Sequence, residues 1–275
     1  MWPFERWRSA DVLRVCRGSV EHWVRQHAGL VLEQREILER PMDAAALEDA
    51  IARLFAGASG RRVVDIILES AWLPVMLLAP SSRQRKVADL EALLRERLMA
   101  LPDSAEAASQ WQIQIDGLPG DAHVCGYALP VRLREGLTRT LRDVGAKVRS
   151  LQPALAWART QHSQRATRRH SGWWLWQESD RTLLVGLRRG HMQSLHPALP
   201  PMTEHFAPQT AVDCEAARTG LPAREPMLVG GWLAPAGLVT ATAWQGVAAT
   251  LETAPRSMAP AAGVSMSSSQ NPARP

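Results

Sequence analysis

GYALPVRLREGLTRTLRDVGAKVRSLQPALAWA, residues Gly126 to Ala158, carries a short strand, an amphipathic helix, a second short strand and a proline-initiated helix without a break. Leu133, Leu137, Leu141 and Val144 recur at i, i+4, i+8 and i+11, the spacing of one helical face. Arg132, Arg134, Glu135, Arg139, Arg142 and Asp143 fill the other faces. Gly145 follows the last apolar position, where a left-handed C-cap is expected. Lys147 to Leu151 has strand length, and Pro153 stands where the first turn of the next helix tolerates a residue without an N–H.

The chain before this run reads in the same grammar. Asp11 to Cys16 and Val20 to Arg25 are expected to form two short strands around Arg17-Gly18-Ser19, with a third extended stretch near Leu30 to Glu36. Asp43 is a candidate N-cap for a helix that turns Leu47, Ile51, Leu54 and Phe55 inward. Arg62 to Leu68, with Val63, Val64, Ile66, Ile67 and Leu68, is the apolar run of a strand covered on both faces. Ala71 to Ala79 is expected as another strand, confined to an edge or bulge by Pro74. Ser81-Ser82 opens a helix with Val87, Leu90, Leu94 and Leu98 at helical spacing, closed by Leu101-Pro102-Asp103. Trp111, Ile113 and Ile115 alternate with Gln112, Gln114 and Asp116, the period of a half-exposed strand, and Leu118 to Asp121 turns the chain into Ala122 to Leu129.

After Ala158, Gln161 to Ser171 is rich in Arg, His and Gln and is read as a linker. Trp173 to Gln177, a Ser179-Asp180-Arg181 turn and Thr182 to Leu187 form a hairpin, and Gly190-His191 leads into Met192 to Leu195. Alternation places Trp174 and Trp176 on one face and Trp173 on the other, leaving both a core and an interaction role open for them. The expected organisation is a first subdomain over 1–160, a linker over 161–171, a second, abbreviated subdomain over 172–252 and a disordered tail over 253–275. Pro226 to Leu251 contains no ionisable side chain and is long enough to span a bilayer. Its prolines, glycines and threonines insert poorly. A buried strand over Met227 to Val229 followed by a Gly230-Gly231 turn and a membrane-contacting segment both remain open.

Composition narrows the classes. A hydrophobic content of 46% over 275 residues supports a full core. The formal charge of +5 comes almost wholly from arginine, since Lys86 and Lys147 are the only lysines. Acidic residues are interspersed, and no nucleic-acid motif is present. Cys16, Cys125 and Cys214 are odd in number, widely spaced and without a C-x-x-C pair, so neither a disulfide framework nor a zinc site is indicated. The eight histidines show no metal spacing. No serine sits in a nucleophile elbow. The first residues lack the apolar core of a secretory signal, so a cytoplasmic protein is expected.

The order of strands and helices, and in particular Leu133 to Ala158 together with Trp72 to Ala79 (WLPVMLLA), resembles the PilM, GspL and MshI group. These are actin-like proteins, related in fold to FtsA, that serve the inner-membrane platforms of type IV pili and type II secretion. The resemblance implies an α/β, actin-like ATPase (ribonuclease H-like) fold with two related subdomains of mixed sheets flanked by helices. Active actin-like proteins open each subdomain with an Asp-x-Gly turn that holds metal and nucleotide phosphates. Here Cys16 and Gln177 stand at the expected Asp positions, and neither replaces a carboxylate toward magnesium. The resemblance therefore implies a non-catalytic scaffold with no metal and no required cofactor. ATP is possible but not expected, and Gly18, Ser19, Gly230 and Gly231 mark a vestigial nucleotide cleft. The implied partners are the cytoplasmic tail of a PilN-like inner-membrane protein, a motor ATPase and a second copy, with no nucleic acid. The implied location is the inner face of the inner membrane. A peptide groove is expected between the Arg62 to Ala79 strands and the Leu133 to Val144 helix, with Arg134 and Arg139 on the partner surface. The alternatives are an unusual actin-like ATPase and a membrane-anchored GspL-type subunit.

Overall fold

The structure, a computed structural model, describes residues 11–26, 29–57, 62–81, 86–100, 110–117, 121–162, 171–199, 208–223, 227–231 and 250–251. Three strands open the chain: β1 (Asp11–Val15), β2 (Ser19–Gln26) and β3 (Gly29–Ile37). Helix α1 (Ala44–Leu54) follows, capped as expected by the Asp43 side chain, which accepts from the Ala46 N–H at 2.8 Å. The β-branched run becomes β4 (Arg62–Leu68). Beyond an inserted unit come α3 (Val131–Asp143), β8 (Ala146–Pro153) and α4 (Ala154–His162). β1 lies antiparallel to β2 and parallel to β4, β4 lies parallel to β8, and the sheet order is β3-β2-β1-β4-β8.

The second half repeats this plan. β9 (Gly172–Gln177), β10 (Thr182–Arg188) and β11 (His191–Leu199) form an antiparallel meander, α5 (Pro208–Thr219) follows, and β12 (Met227–Gly231) returns parallel to β9. With β13 (Thr250–Leu251) the order is β11-β10-β9-β12-β13, the same arrangement as the first sheet. Helix α5 was not anticipated. Its residues Val212 and Ala216 cover Trp173, Leu175 and Leu184 on one face of the second sheet. The other face carries Trp174, Trp176, Leu183 and Val185 into a core shared with the first sheet and with Leu155 and Trp157 of α4. The tryptophans thus divide between faces as predicted, but all three are buried, which removes the interaction role left open for them.

Helix α3 lays Leu133, Leu137 and Leu141 into the same core as Val64, Ile66 and Leu68. The residues expected to flank a peptide groove, on β4 and α3, thus belong to one apolar core. Gly145 ends the helix at φ +79°, the left-handed cap that its position predicted.

The inserted unit is an antiparallel sheet of β5 (Val75–Leu78), β7 (Val124–Pro130) and β6 (Trp111–Asp116), with β7 central and α2 (Val87–Met99) packed on it. Three expectations change here. The strand predicted over Ala71 to Ala79 is confined to β5, because the Trp72 N–H closes a turn onto the Glu69 carbonyl at 3.0 Å. The helix predicted from Ser81-Ser82 begins at Val87, where the Asp89 carboxylate accepts from the Lys86 N–H at 3.0 Å. Val87 is half exposed, so the buried stripe is Leu90, Leu94 and Leu98. Gln161 and His162, assigned to the linker, continue α4. Leu101-Pro102-Asp103, most of the linker, the greater part of Pro226 to Leu251 and the tail expected over 253–275 lie outside the described residues. No described helix is long and apolar enough to cross a membrane.

Candidate functional site

Three chain reversals converge where the two five-stranded sheets meet. The β1–β2 turn places Arg17 and Gly18 at its tip, and the Cys16 N–H donates to the Ser19 carbonyl at 2.8 Å. The β9–β10 turn holds Glu178, Ser179 and Asp180, closed by the Glu178 N–H on the Arg181 carbonyl at 2.9 Å. Between them the end of β4 supplies Glu69 and Ser70. The Glu69 N–H donates to the Val15 carbonyl at 3.1 Å, so β4 is fixed beside β1 up to its last residue.

Glu69-Ser70 and Glu178-Ser179 engage one another reciprocally. Glu69 accepts the Ser179 N–H at 3.0 Å and the Ser179 hydroxyl. Glu178 accepts the Ser70 N–H at 3.0 Å and the Ser70 hydroxyl. Each glutamate thus occupies a small nest of one amide and one hydroxyl offered by the opposite turn, a donor set suited to any anionic oxygen. Around this clasp runs an alternating chain of charges. Arg14, fully buried, donates to Glu69 and to Glu21, the latter at 3.0 Å. Glu21 also accepts from Trp23 Nε1 at 3.0 Å and Arg35 Nε at 2.8 Å. On the rim, Asp180 is held by Arg17 at 3.1 Å and by Arg181 through two bonds of 3.0 and 2.9 Å.

The electrostatics follow from burial. Glu178 is fully enclosed, and loss of solvent, with the neighbouring Glu69 charge second, pushes its carboxyl up to about 8 against the pull of the Ser70 donors. Asp180 pays part of its solvation too, but the hydrogen bonds and charges of Arg181 and Arg17 outweigh that and hold it below the ordinary carboxylate range. Burial pushes the Cys16 thiol far up, so it stays protonated.

Carboxylate oxygens of Glu69, Glu178 and Asp180 lie within 4.8 Å of one another. Cys16 and Gln177 themselves offer no carboxylate; the acids of the cleft come from residues outside these two positions, two of them directly after Gln177 in the same turn. A hard divalent cation seeks oxygens grouped in this way. Here, though, every one of the three already faces N–H or O–H donors.

The other predicted residues fall as follows. Gly18 sits at the β1–β2 tip, its carbonyl accepting from the Leu38 N–H at 2.9 Å, and a Cβ there would meet nothing within 4 Å. Ser19 begins β2. Gly230 and Gly231, expected in a turn, are the last residues of β12, in register with Trp176 and Gln177. They reach the same end of the sheet as Glu178 but as strand, not as a phosphate-type loop. Arg134 and Arg139 lie away from the cleft on the outer face of α3, bonded to Gln112 at 2.8 Å and Glu48 at 2.9 Å. The clasp residues were missed because they lie in elements more than 100 residues apart; the one sequence signal was the repeated Glu-Ser dipeptide, each copy at the end of a strand.

Two β-β-β-α-β units with the same strand order, facing one another across a cleft built by their turns, define the actin-like ATPase fold, with a small sheet inserted after β4. Among solved structures, the chain is similar to the cytoplasmic domain of EpsL, an inner-membrane component of the type II secretion system of Vibrio cholerae, at 12% identity and a TM-score of 0.52 over 89% of each chain. It is similar to the PilM–PilN type IV pilus biogenesis complex at 14% identity and a TM-score of 0.52, over 89% of this chain and 88% of that one. A Bacteroides thetaiotaomicron protein of actin-like ATPase fold follows at 10% identity and a TM-score of 0.48, over 84% of each chain. No protein-family model matches the sequence, and no curated protein does. The likeness to the PilM and GspL group, read from element order, is thus present as a likeness of fold.

Proposed function

We propose that this chain is a non-catalytic, actin-like docking component of a type IV pilus or type II secretion platform at the cytoplasmic face of the inner membrane. Its partner in this reading is the cytoplasmic tail of a PilN-like membrane protein, with a motor ATPase or a second copy as further partners. The fold likeness to the EpsL domain and to PilM supports the setting. The observation that carries the non-catalytic half is the reciprocal clasp: the turn amides that would face a nucleotide's phosphates in an active relative are aimed at the chain's own Glu69 and Glu178.

The test is isothermal titration with ATP and magnesium, then with ATP alone. The expected result is no saturable heat up to millimolar nucleotide; tight, magnesium-dependent binding would overturn the reading in favour of an ATPase. For the partner, a synthetic tail from a PilN-like protein of the same genome should co-migrate with the chain in gel filtration. A tail that elutes alone at concentrations of tens of micromolar would remove that partner.

A further inference from the structure

The first sheet ends on an open strand, β3, which pairs only with β2. Its side chains from Leu32 to Arg35 are exposed, and Ile37 is 65% exposed, a large fraction for an apolar residue on a strand. Long edges with apolar surface pair with another chain unless something blocks them. Charged residues and a bulge are the usual blocks, and β3 carries both. Glu33, Arg35 and Glu36 supply the charges. His22 stands opposite Gln34 and Trp23 opposite Leu32, so Glu33 is the extra residue of a bulge.

The hydrogen-bond pattern fixes which backbone groups point outward. The Cys16 N–H donates to the Ser19 carbonyl at 2.8 Å, so Ser19, Glu21 and Trp23 turn their backbone groups toward β1, and Val20, His22, Val24 and Gln26 turn theirs toward β3. The Leu38 N–H on the Gly18 carbonyl, at 2.9 Å, keeps the same phase. On β3 the inward residues are therefore Gly29, Val31, Gln34 and Glu36. Leu30, Leu32, Arg35 and Ile37 point outward, and among the described residues no acceptor meets their N–H groups.

This outward set is symmetric about Glu33-Gln34. A second β3 laid antiparallel on the edge, with the twofold axis between those two residues, brings Leu30 opposite Ile37 and Leu32 opposite Arg35, so every outward residue meets an outward residue. Both strands then bulge at the same point. The extra residue that would spoil pairing with a straight strand keeps the register with its own copy. The remaining pairs are Val31 with Glu36 and Glu33 with Gln34, which sets no like charges directly opposite. Side chains agree as well. Leu32, Arg35 and Ile37 lie opposite Trp23, Glu21 and Ser19, alternate residues of β2, and share the face of the sheet away from α1, whose Arg53 reaches Glu36 on the other face. Arg35 Nε donates to Glu21 at 2.8 Å, which leaves the aliphatic stem to cover Leu32 of the copy.

We infer that β3 is the dimerisation edge of this chain: two copies pair antiparallel through Leu30 to Ile37 and join their first sheets into one continuous sheet, with Leu32 and Ile37 of both copies along the seam. The occupant is a second copy because the bulged register matches itself and no straight strand. β3 alone carries this assignment, independent of the platform role proposed above.

The test is sedimentation velocity on the full chain alone, from low micromolar to about 500 µM. A reversible monomer–dimer equilibrium is expected, with a dissociation constant on the order of tens of micromolar, as suits a small edge contact. Ile37→Pro removes one outward N–H from each copy, hence two backbone bonds per dimer, and should weaken association about thirtyfold. Proline is tolerated there because the lost N–H faces away from β2, and circular dichroism checks the fold. Ile37→Lys keeps the backbone intact but sets a charge against Leu30 of the copy, and should weaken association by about tenfold or more. On the unaltered chain, hydrogen exchange at Leu32, Arg35 and Ile37 should slow as concentration rises, unlike that at the inward Gln34 and Glu36. A chain that stays monomeric across the range, a dimer that both variants leave intact, or exchange at the outward amides that is independent of concentration would each overturn the proposal. None of these results bears on capture of a membrane-protein tail, which is measured separately.

Discussion

Replacing Glu178 by glutamine isolates the strongest electrostatic feature of the cleft. In the folded chain the carboxyl is raised from its ordinary 4.5 to about 8, by burial first and by Glu69 second. Across that interval the folded state holds a proton that the unfolded chain has released. The stabilisation from this proton is complete below 4.5 and is lost progressively as pH rises toward 8, above which both states are ionised. Each pH unit within the window is worth ~1.4 kcal/mol, so the full span is on the order of 5 kcal/mol, comparable with the whole stability of many domains. Glutamine keeps an oxygen for the Ser70 donors and carries no charge at any pH. Urea midpoints measured from pH 5.5 to 8 should fall for the wild type relative to Glu178→Gln, diverging by roughly 3 kcal/mol over the range. Titrations away from the clasp are common to the two proteins and cancel in the difference. Parallel curves would show that Glu178 ionises at an ordinary pH and refute the account of a carboxyl raised by burial.

Further outcomes follow from single contacts. Glu69→Ala leaves the buried Arg14 guanidinium and the Ser179 amide short of an acceptor and should cost about 3–5 kcal/mol by urea unfolding. Asp43→Ala removes the α1 cap and should cost about 1 kcal/mol by urea unfolding. Gly145→Ala forces a side chain into the left-handed region at φ +79° and should lower stability by about 1 kcal/mol in the same assay. Arg134→Glu with Arg139→Glu breaks only exposed contacts, so thermal midpoints should stay within a degree or two while capture of a PilN-like tail weakens. Unchanged capture would exclude the outer face of α3 from the partner surface.

What the sequence disclosed depended on how local each signal was. β4 and α3 were legible because an unbroken apolar run and a leucine stripe with a glycine stop leave one reading each. Helix α5 was not, because PQTAVDCEAART contains only Val212 and Ala216 as buried apolar residues and its remaining pattern is polar. The end of the second sheet misled for a related reason: a Gly-Gly pair reads as a turn, yet pairing with Trp176 and Gln177 of β9 holds it as strand. The cleft was legible in position but not in content. Cys16 and Gln177 marked where the two turns lie, while the acids that fill them follow β4 and β9 as ordinary polar residues until the fold brings them together.

The clasp also bears on how the two halves of the molecule are held. Its bonds join residues 108 to 110 positions apart, one turn from each sheet, and they lie beside the apolar core that α4 and the tryptophans share between the sheets. A triphosphate entering here would have to displace two glutamates that are tethered in place, and so compete at an effective concentration far above the millimolar range of free nucleotide. It would also bring more negative charge toward Asp180 and the displaced carboxylates, in a site where burial already keeps one of them protonated. The groups that release a ligand in an open cleft are here satisfied by the chain itself, so the halves are tied together in the resting protein. A body tied in this way presents fixed outer surfaces to a docking partner.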